Sequence, residues 1–167
     1  MKTIFLKSPI GNIKKIENDL KVKITTKKGE ITIEGNPEDE YIAEKIIDAL
    51  NLGFSLPVAL LIKNADFLFE VLNIKDYTKR NTKIVKARII GTKGKTLKTL
   101  HKLTQCYFEV KENYVGILGL AENIKNAQEA VISIIRGAKH SNVYSFLEKH
   151  QPKPIFDFGL KNQKKKK

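Results

Sequence analysis

Tryptophan is absent from the 167-residue chain, and cysteine and methionine occur once each, at Cys106 and Met1. One thiol excludes an internal disulfide framework. With only His101, His140 and His150 beside it, no metal-ligand spacing emerges either, so neither a zinc site nor a cofactor is expected. Cysteine this sparse fits a reducing, cytoplasmic setting. No stretch approaches the ~18 consecutive apolar residues of a membrane span. The opening Met1–Lys7 lacks the apolar region of a secretory signal, so no membrane partner is expected. What is present suffices for a core: 41% of the residues are hydrophobic, and the length lies between one large domain and two small ones.

Acid is missing where it matters. From Tyr77 to Phe108 nine basic residues (Lys79, Arg80, Lys83, Lys86, Arg88, Lys93, Lys95, Lys98, Lys102) stand without one carboxylate. Elsewhere the signs nearly balance: residues 1–66 hold ten lysines and ten acids, residues 109–160 hold six of each, and residues 67–76 contribute −1. The net charge of +13 therefore resides in that segment and in Lys161–Lys167, which adds five lysines. Like charges packed together repel, so a merely solvated face mixes its signs. A chance run in a lysine-rich chain is the bland reading; a polyanion partner is the better one. The tail from Lys164 onward is expected to be disordered, adding either non-specific RNA affinity or solubility.

Two segments share a pattern. Val22-Lys-Ile-Thr-Thr and Ile31-Thr-Ile-Glu-Gly35 alternate apolar and polar around the Lys28-Gly29 turn, which predicts a hairpin. Asn36-Pro37 then starts a helix, with Glu38, Asp39 and Glu40 crowding its first turn and Gly53 ending it. Shifted by 84 residues, Cys106–Val110, the turn Lys111–Asn113 and Tyr114–Gly119 make a second hairpin, followed by a helix closed at Gly137. This is a duplicated β-β-α unit. Upstream of the second hairpin lie a strand (Asp66–Ile74), a helix (Thr82–Ile90), a glycine loop and another helix (Lys95–Leu103). Upstream of the first there is room only for a strand (Lys2–Lys7) and one short helix (Ile10–Asp19). Residues 54–62 predict an apolar linker helix capped by Ser55, and Ser141–Lys149 a last helix that Pro152 and Pro154 terminate.

The loop Gly91-Thr92-Lys93-Gly94 carries the chemistry. Helix–Gly-x-x-Gly–helix is the arrangement of a KH domain, whose loop clamps the backbone of about four nucleotides. Two glycines bring the backbone to a phosphate without Cβ interference, and the following helix offers unpaired N–H groups and a partial positive charge. Lys86, Arg88, Lys95, Lys98 and Lys102 supply counter-charge, together with Lys93, while Ile90, Leu97 and the strand near Tyr107 would line an apolar bed for the bases. Gly94-Lys95-Thr96 also resembles the end of a Walker A loop. That motif needs four residues between its glycines, which would put the first at position 89, where Ile89 stands. Tyr107 is a candidate for base stacking, but Tyr107 and Phe108 face opposite sides of a strand and one of them belongs to the core. Cys106 is expected to be a buried strand residue and His101 a surface one.

The segment Ala87–Thr96, with His140-Ser-Asn-Val-Tyr-Ser-Phe-Leu-Glu148 after it and Gly53-Phe-Ser-x-Pro-x-Ala-Leu60 before it, resembles the archaeal Dim-type KH repeat proteins. These are relatives of the eukaryotic partner-of-Nob factor and, further off, of the KRR-type processome protein. The resemblance covers residues 1–150 and implies a small-ribosomal-subunit assembly factor that binds near the 3′ end of the small-subunit rRNA. It also implies two partners, the Nob-type endonuclease and the α subunit of translation initiation factor two. Two departures stand out: Ser8-Pro-Ile-Gly-Asn-Ile13 carries no Gly-x-x-Gly, and the tail after Pro152 is unlike the family.

The expected fold is thus α+β, with two tandem type I-like KH domains, each a three-stranded antiparallel sheet packed by helices, the first degenerate. The expected boundaries are 1–53 for the degenerate domain, 54–65 for the linker, 66–150 for the KH domain and 151–167 for the tail. The expected function is non-catalytic binding of single-stranded RNA at Lys86, Arg88, Ile90, Gly91–Lys95, Leu97, Lys98, Lys102 and Tyr107. With zero net charge and no loop, the first repeat is expected to meet protein. A KH-type mRNA- or tRNA-binding regulator, or an RNA-binding subunit of a processing complex, would share these features.

Overall fold

The computed structural model describes residues 1–6 and 10–152. The tail from residue 153, with Pro154 and the lysine run, and Lys7, Ser8 and Pro9 of the first repeat lie outside the described residues.

The first half runs β1 (Lys2–Phe5), α1 (Ile13–Leu20), β2 (Lys23–Lys27), β3 (Glu30–Glu34) and α2 (Pro37–Leu52), with an antiparallel sheet of order β1-β3-β2. Helix α1 begins at Ile13 rather than Ile10, because Asn12 takes the left-handed conformation (φ 62°) that a helix cannot include. Helix α2 starts as expected: the Asn36 side-chain oxygen accepts from the Glu38 amide at 3.3 Å, and Gly53 closes the helix at φ 118°. The amide of Gly35 donates to the Glu40 carboxylate at 3.0 Å. That bond and the Met1 amino group hold the Glu40 carboxyl below its usual range.

The linker is not one helix. A single turn, α3 (Leu56–Ala59), passes into a 3-10 turn over Leu60–Lys63. Ser55 has the extended backbone of a cap, but its hydroxyl makes no capping bond. Pro57 is the second helical residue and has no N–H to give it.

The second half runs β4 (Phe67–Asn73), α4 (Thr82–Ile90), α5 (Lys95–Thr104), β5 (Tyr107–Lys111), β6 (Tyr114–Leu120), α6 (Ala121–Ile135) and α7 (His140–Lys149), with antiparallel order β4-β6-β5. The 84-residue repeat reaches down to backbone detail. Left-handed residues recur at Lys21 and Gln105, at Lys28 and Glu112, and at Gly53 and Gly137. The hairpins keep one register, Lys23 opposite Glu34 and Tyr107 opposite Leu118. Even a close approach recurs. A Cβ on Gly35 would lie 2.8 Å from Val22, and one on Gly119 would lie 2.5 Å from the Cys106 sulfur, its repeat counterpart.

The two cores meet at β6. Val115 and Ile117 face the second core, under α4, α5 and α6, whereas Leu118 belongs to the first core with Ile46, Ile47, Phe54 and Ala59. Gly116 sits on that same outer face, where a Cβ would come 2.1 Å from Leu52 and 2.7 Å from Phe54. Both faces of the second sheet are therefore covered, which explains the nearly unbroken apolar run Val115–Leu120.

Candidate nucleic-acid interface

Helix α4 is capped by Asn81, whose side chain accepts from the Lys83 amide at 2.9 Å, and it ends where Gly91 turns to φ 73°, ψ 173°. Thr92–Gly94 makes one tight turn, with Lys93 at φ 53° and the Gly94 amide donating to the Gly91 carbonyl at 3.2 Å. Helix α5 follows at once. The loop itself takes up the first of its amides, the Lys95 N–H donating to the Thr92 carbonyl, and Thr96 is buried against Gly91; the positive end of the helix dipole lies here, beside the exposed Lys95 and Lys98.

The two glycines do different things. A Cβ on Gly91 would lie 2.2 Å from the Thr96 hydroxyl oxygen and 2.7 Å from its amide nitrogen, so that glycine lets the turn close against α5. Around Gly94 nothing lies within 4 Å of the same position. Only Gly94 leaves an open backbone face for an incoming phosphate.

The cations also divide. Lys93, Lys95, Lys98 and Lys102 are exposed around the loop and along α5, and Lys86 is half-buried on α4. Arg88 turns inward: its guanidinium donates to the carbonyls of Ile134 and Ala138 at 2.8 and 2.6 Å, where α6 ends. The Arg88 carbonyl in turn accepts from His140 Nε2 at 2.8 Å. Arg80 packs at Gly137, where a Cβ would lie 2.5 Å from its guanidinium. Two of the nine basic residues thus face the negative end of α6, and Arg88 as placed is a structural tie rather than a free counter-charge.

A cleft of about 410 Å³ opens beside the loop. One side is α5, through Leu97, Lys98 and His101; the floor is β5, through Tyr107, Phe108 and Glu109; the far wall is Gly53, Phe54, Ser55 and Val58. Phe108 is core at 8% exposure, and Tyr107 is half-buried, its ring centroid 4.9 Å from that of His101. His101 is exposed as expected, but it is held: Nδ1 donates to the Cys106 carbonyl at 2.8 Å, since a carbonyl oxygen only accepts. Ile90 is half-buried at the end of α4, outside this lining. Burial pushes the Cys106 thiol up to about 11 despite a hydrogen bond to Thr104, as suits an inert core residue.

Sequence reasoning missed Glu109 and the 53–58 wall. Strand alternation places Glu109 on the Tyr107 face and could have found it; the wall is contributed from the other half of the chain, and no local signal announces it.

Two helices joined by a Gly-x-x-Gly turn and laid on a three-stranded antiparallel sheet define a KH domain. Residues 68–152 match the model for the second KH domain of PNO1 proteins, a eukaryotic type KH-domain (KH-domain type I). A KH domain-containing protein of Methanocaldococcus jannaschii is 35% identical over 152 residues, 86% of this chain and 67% of that one. The pre-rRNA-processing protein PNO1 of Debaryomyces hansenii is 28% identical over 135 residues, 77% of this chain and 53% of that one. Among solved structures, Dim2p in a complex of a/eIF2alpha, aDim2p and rRNA from Pyrococcus horikoshii aligns with TM-score 0.80 at 28% identity, covering 89% of this chain and 92% of that one. The chain belongs to the Dim2/PNO1 family of KH-domain proteins. It spans about half the length of the eukaryotic relative and two thirds of the archaeal one.

Proposed function

We propose that this chain is a non-catalytic single-stranded RNA-binding factor of small ribosomal subunit maturation, which takes rRNA near its 3′ end. The observation that carries the reading is the open backbone face at Gly94, set at the start of α5 and ringed by Lys93, Lys95 and Lys98 with no carboxylate on the loop. The names of its relatives, a pre-rRNA-processing protein and an rRNA-bound Dim2p, supply the class of RNA. Phosphates lie on Gly91–Lys95, and Lys86, Lys98 and Lys102 extend the positive track. Leu97 and Tyr107 seat the bases in the adjoining cleft.

In this reading residues 1–53 form a degenerate KH-like domain, 54–65 the linker, 66–150 the working KH domain and 151–167 a basic tail. The first half, with no net charge over residues 1–66 and no Gly-x-x-Gly, faces protein. The α subunit of initiation factor two and a Nob-type endonuclease are the proposed partners, in the cytoplasm.

Replacing Thr92 and Lys93 together with Asp tests the site. Both positions are exposed, and Asp tolerates the left-handed backbone of Lys93. Binding of short single-stranded RNA, followed by fluorescence anisotropy, is expected to vanish while the thermal midpoint stays within a few degrees. Unaltered affinity defeats the assignment. RNA crosslinked to the protein in its own cells identifies the target, and mRNA or tRNA in place of small-subunit rRNA would make it a regulator instead.

A further inference from the structure

The cleft beside the loop contains one acid. Glu109 projects from the Tyr107 face of β5, half-buried opposite Gly53, with its Oε2 3.5 Å from where a Cβ on that glycine would lie. Its carboxylate has no hydrogen-bond or ion-pair partner among the described residues, and burial raises its pKa above the usual carboxylate range. A partly desolvated group that only accepts hydrogen bonds, without a partner among the described residues in a cleft lined by apolar residues, Ser55, Lys98 and the tilted His101–Tyr107 pair, is best matched by an occupant that brings donors. Phosphate has none. The edge of a base does: cytosine, adenine and guanine each carry an exocyclic amino group, while uracil presents carbonyl oxygens on both sides of its single N–H.

We propose that Glu109 is a specificity residue, accepting a hydrogen bond from the exocyclic amino group of the base held between α5, β5 and the 53–58 wall, so that this position selects amino-bearing bases against uracil. The inference rests on the RNA-binding reading above. It assigns the first half a direct share in that reading, because Gly53, Phe54 and Val58 close the side of the cleft opposite α5. Glycine at 53 is apt here: its φ of 118° closes α2, and its missing side chain leaves the approach to the Glu109 carboxylate clear.

The test uses the full chain and five-nucleotide RNAs that are uracil throughout except for one position, scanned with C, A and G and read by fluorescence anisotropy. At one position an amino-bearing base is expected to bind about tenfold more tightly than uracil. In Glu109→Gln, whose amide can both donate and accept, that preference collapses while the thermal midpoint at neutral pH does not fall. Lys98→Gln is the control: it weakens all sequences alike. Equal affinity for all bases in the parent protein, or a preference that survives Glu109→Gln, overturns the assignment and leaves RNA binding standing. Failure of the parent protein to bind any of the RNAs overturns both.

Discussion

Gly91 and Gly94 differ in what a methyl group would meet. At Gly91 it would strike the Thr96 hydroxyl and amide, and the backbone there (φ 73°, ψ 173°) lies in a region essentially reserved for glycine. Gly91→Ala is therefore expected to cost on the order of 3 kcal/mol in a denaturant titration. Gly94→Ala meets open space and costs about 1 kcal/mol for its left-handed backbone. It should nonetheless lower RNA affinity more than stability, because its methyl occupies the face offered to phosphate. Equal destabilisation by the two would refute the division of roles. The motif was legible as two small residues three apart. Which glycine serves the turn and which the ligand depends on the placement of Thr96, five residues on, and is a property of the closed loop.

At the scale of elements, α4 and α5 show how charge in a sequence overstates charge at a surface. The acid-free stretch supplies both helices, yet Arg88 and Arg80 are used against the C-terminal end of α6, while Lys95, Lys98 and Lys102 stay in solvent along α5. Arg88→Ala is expected to lower stability by about 2 kcal/mol, since it deletes two charged hydrogen bonds to backbone carbonyls. The folded protein should keep most of its RNA affinity. Lys98→Gln should do the reverse, leaving the midpoint in place and reducing the slope of log affinity against log salt by about one. A fall in salt slope for Arg88→Ala equal to that of Lys98→Gln would show the guanidinium to be free for RNA. The helices and the hairpin repeat were legible because capping, alternation and glycine spacing act within a few residues. The start of α1 departs from the apolar pattern because Asn12 is left-handed, and the linker's passage from α3 into a 3-10 turn at Leu60 has no local signal in an otherwise apolar run.

For the whole molecule, the decisive contact is between β6 and the end of α2. Leu118 is fully buried in the first core although its strand belongs to the second sheet, and Gly116 lets Leu52 and Phe54 lie directly on that strand. The two halves should therefore unfold together, in a single calorimetric transition. Gly116→Val, which adds a side chain where 2.1 Å separates a Cβ from Leu52, should lower the midpoint by several degrees. It should also weaken RNA binding, since displacing Phe54 moves the wall of the cleft. Two separate transitions in the parent protein would show that the halves merely adjoin.

The sequence by itself determined the repeat, the elements and the loop, since each follows from residue preferences over a few positions: alternation for strands, caps for helices, glycine for left-handed turns. Only the tertiary structure decided that Arg88 points inward, that Glu109 stands unpaired in a cleft, and that the first half walls the second half's groove. These arise between residues far apart in the chain, Arg88 with carbonyls 46 and 50 positions on and Glu109 with Gly53 from the other half, where packing volume and unsatisfied backbone carbonyls select the contact and sequence spacing carries no trace of it.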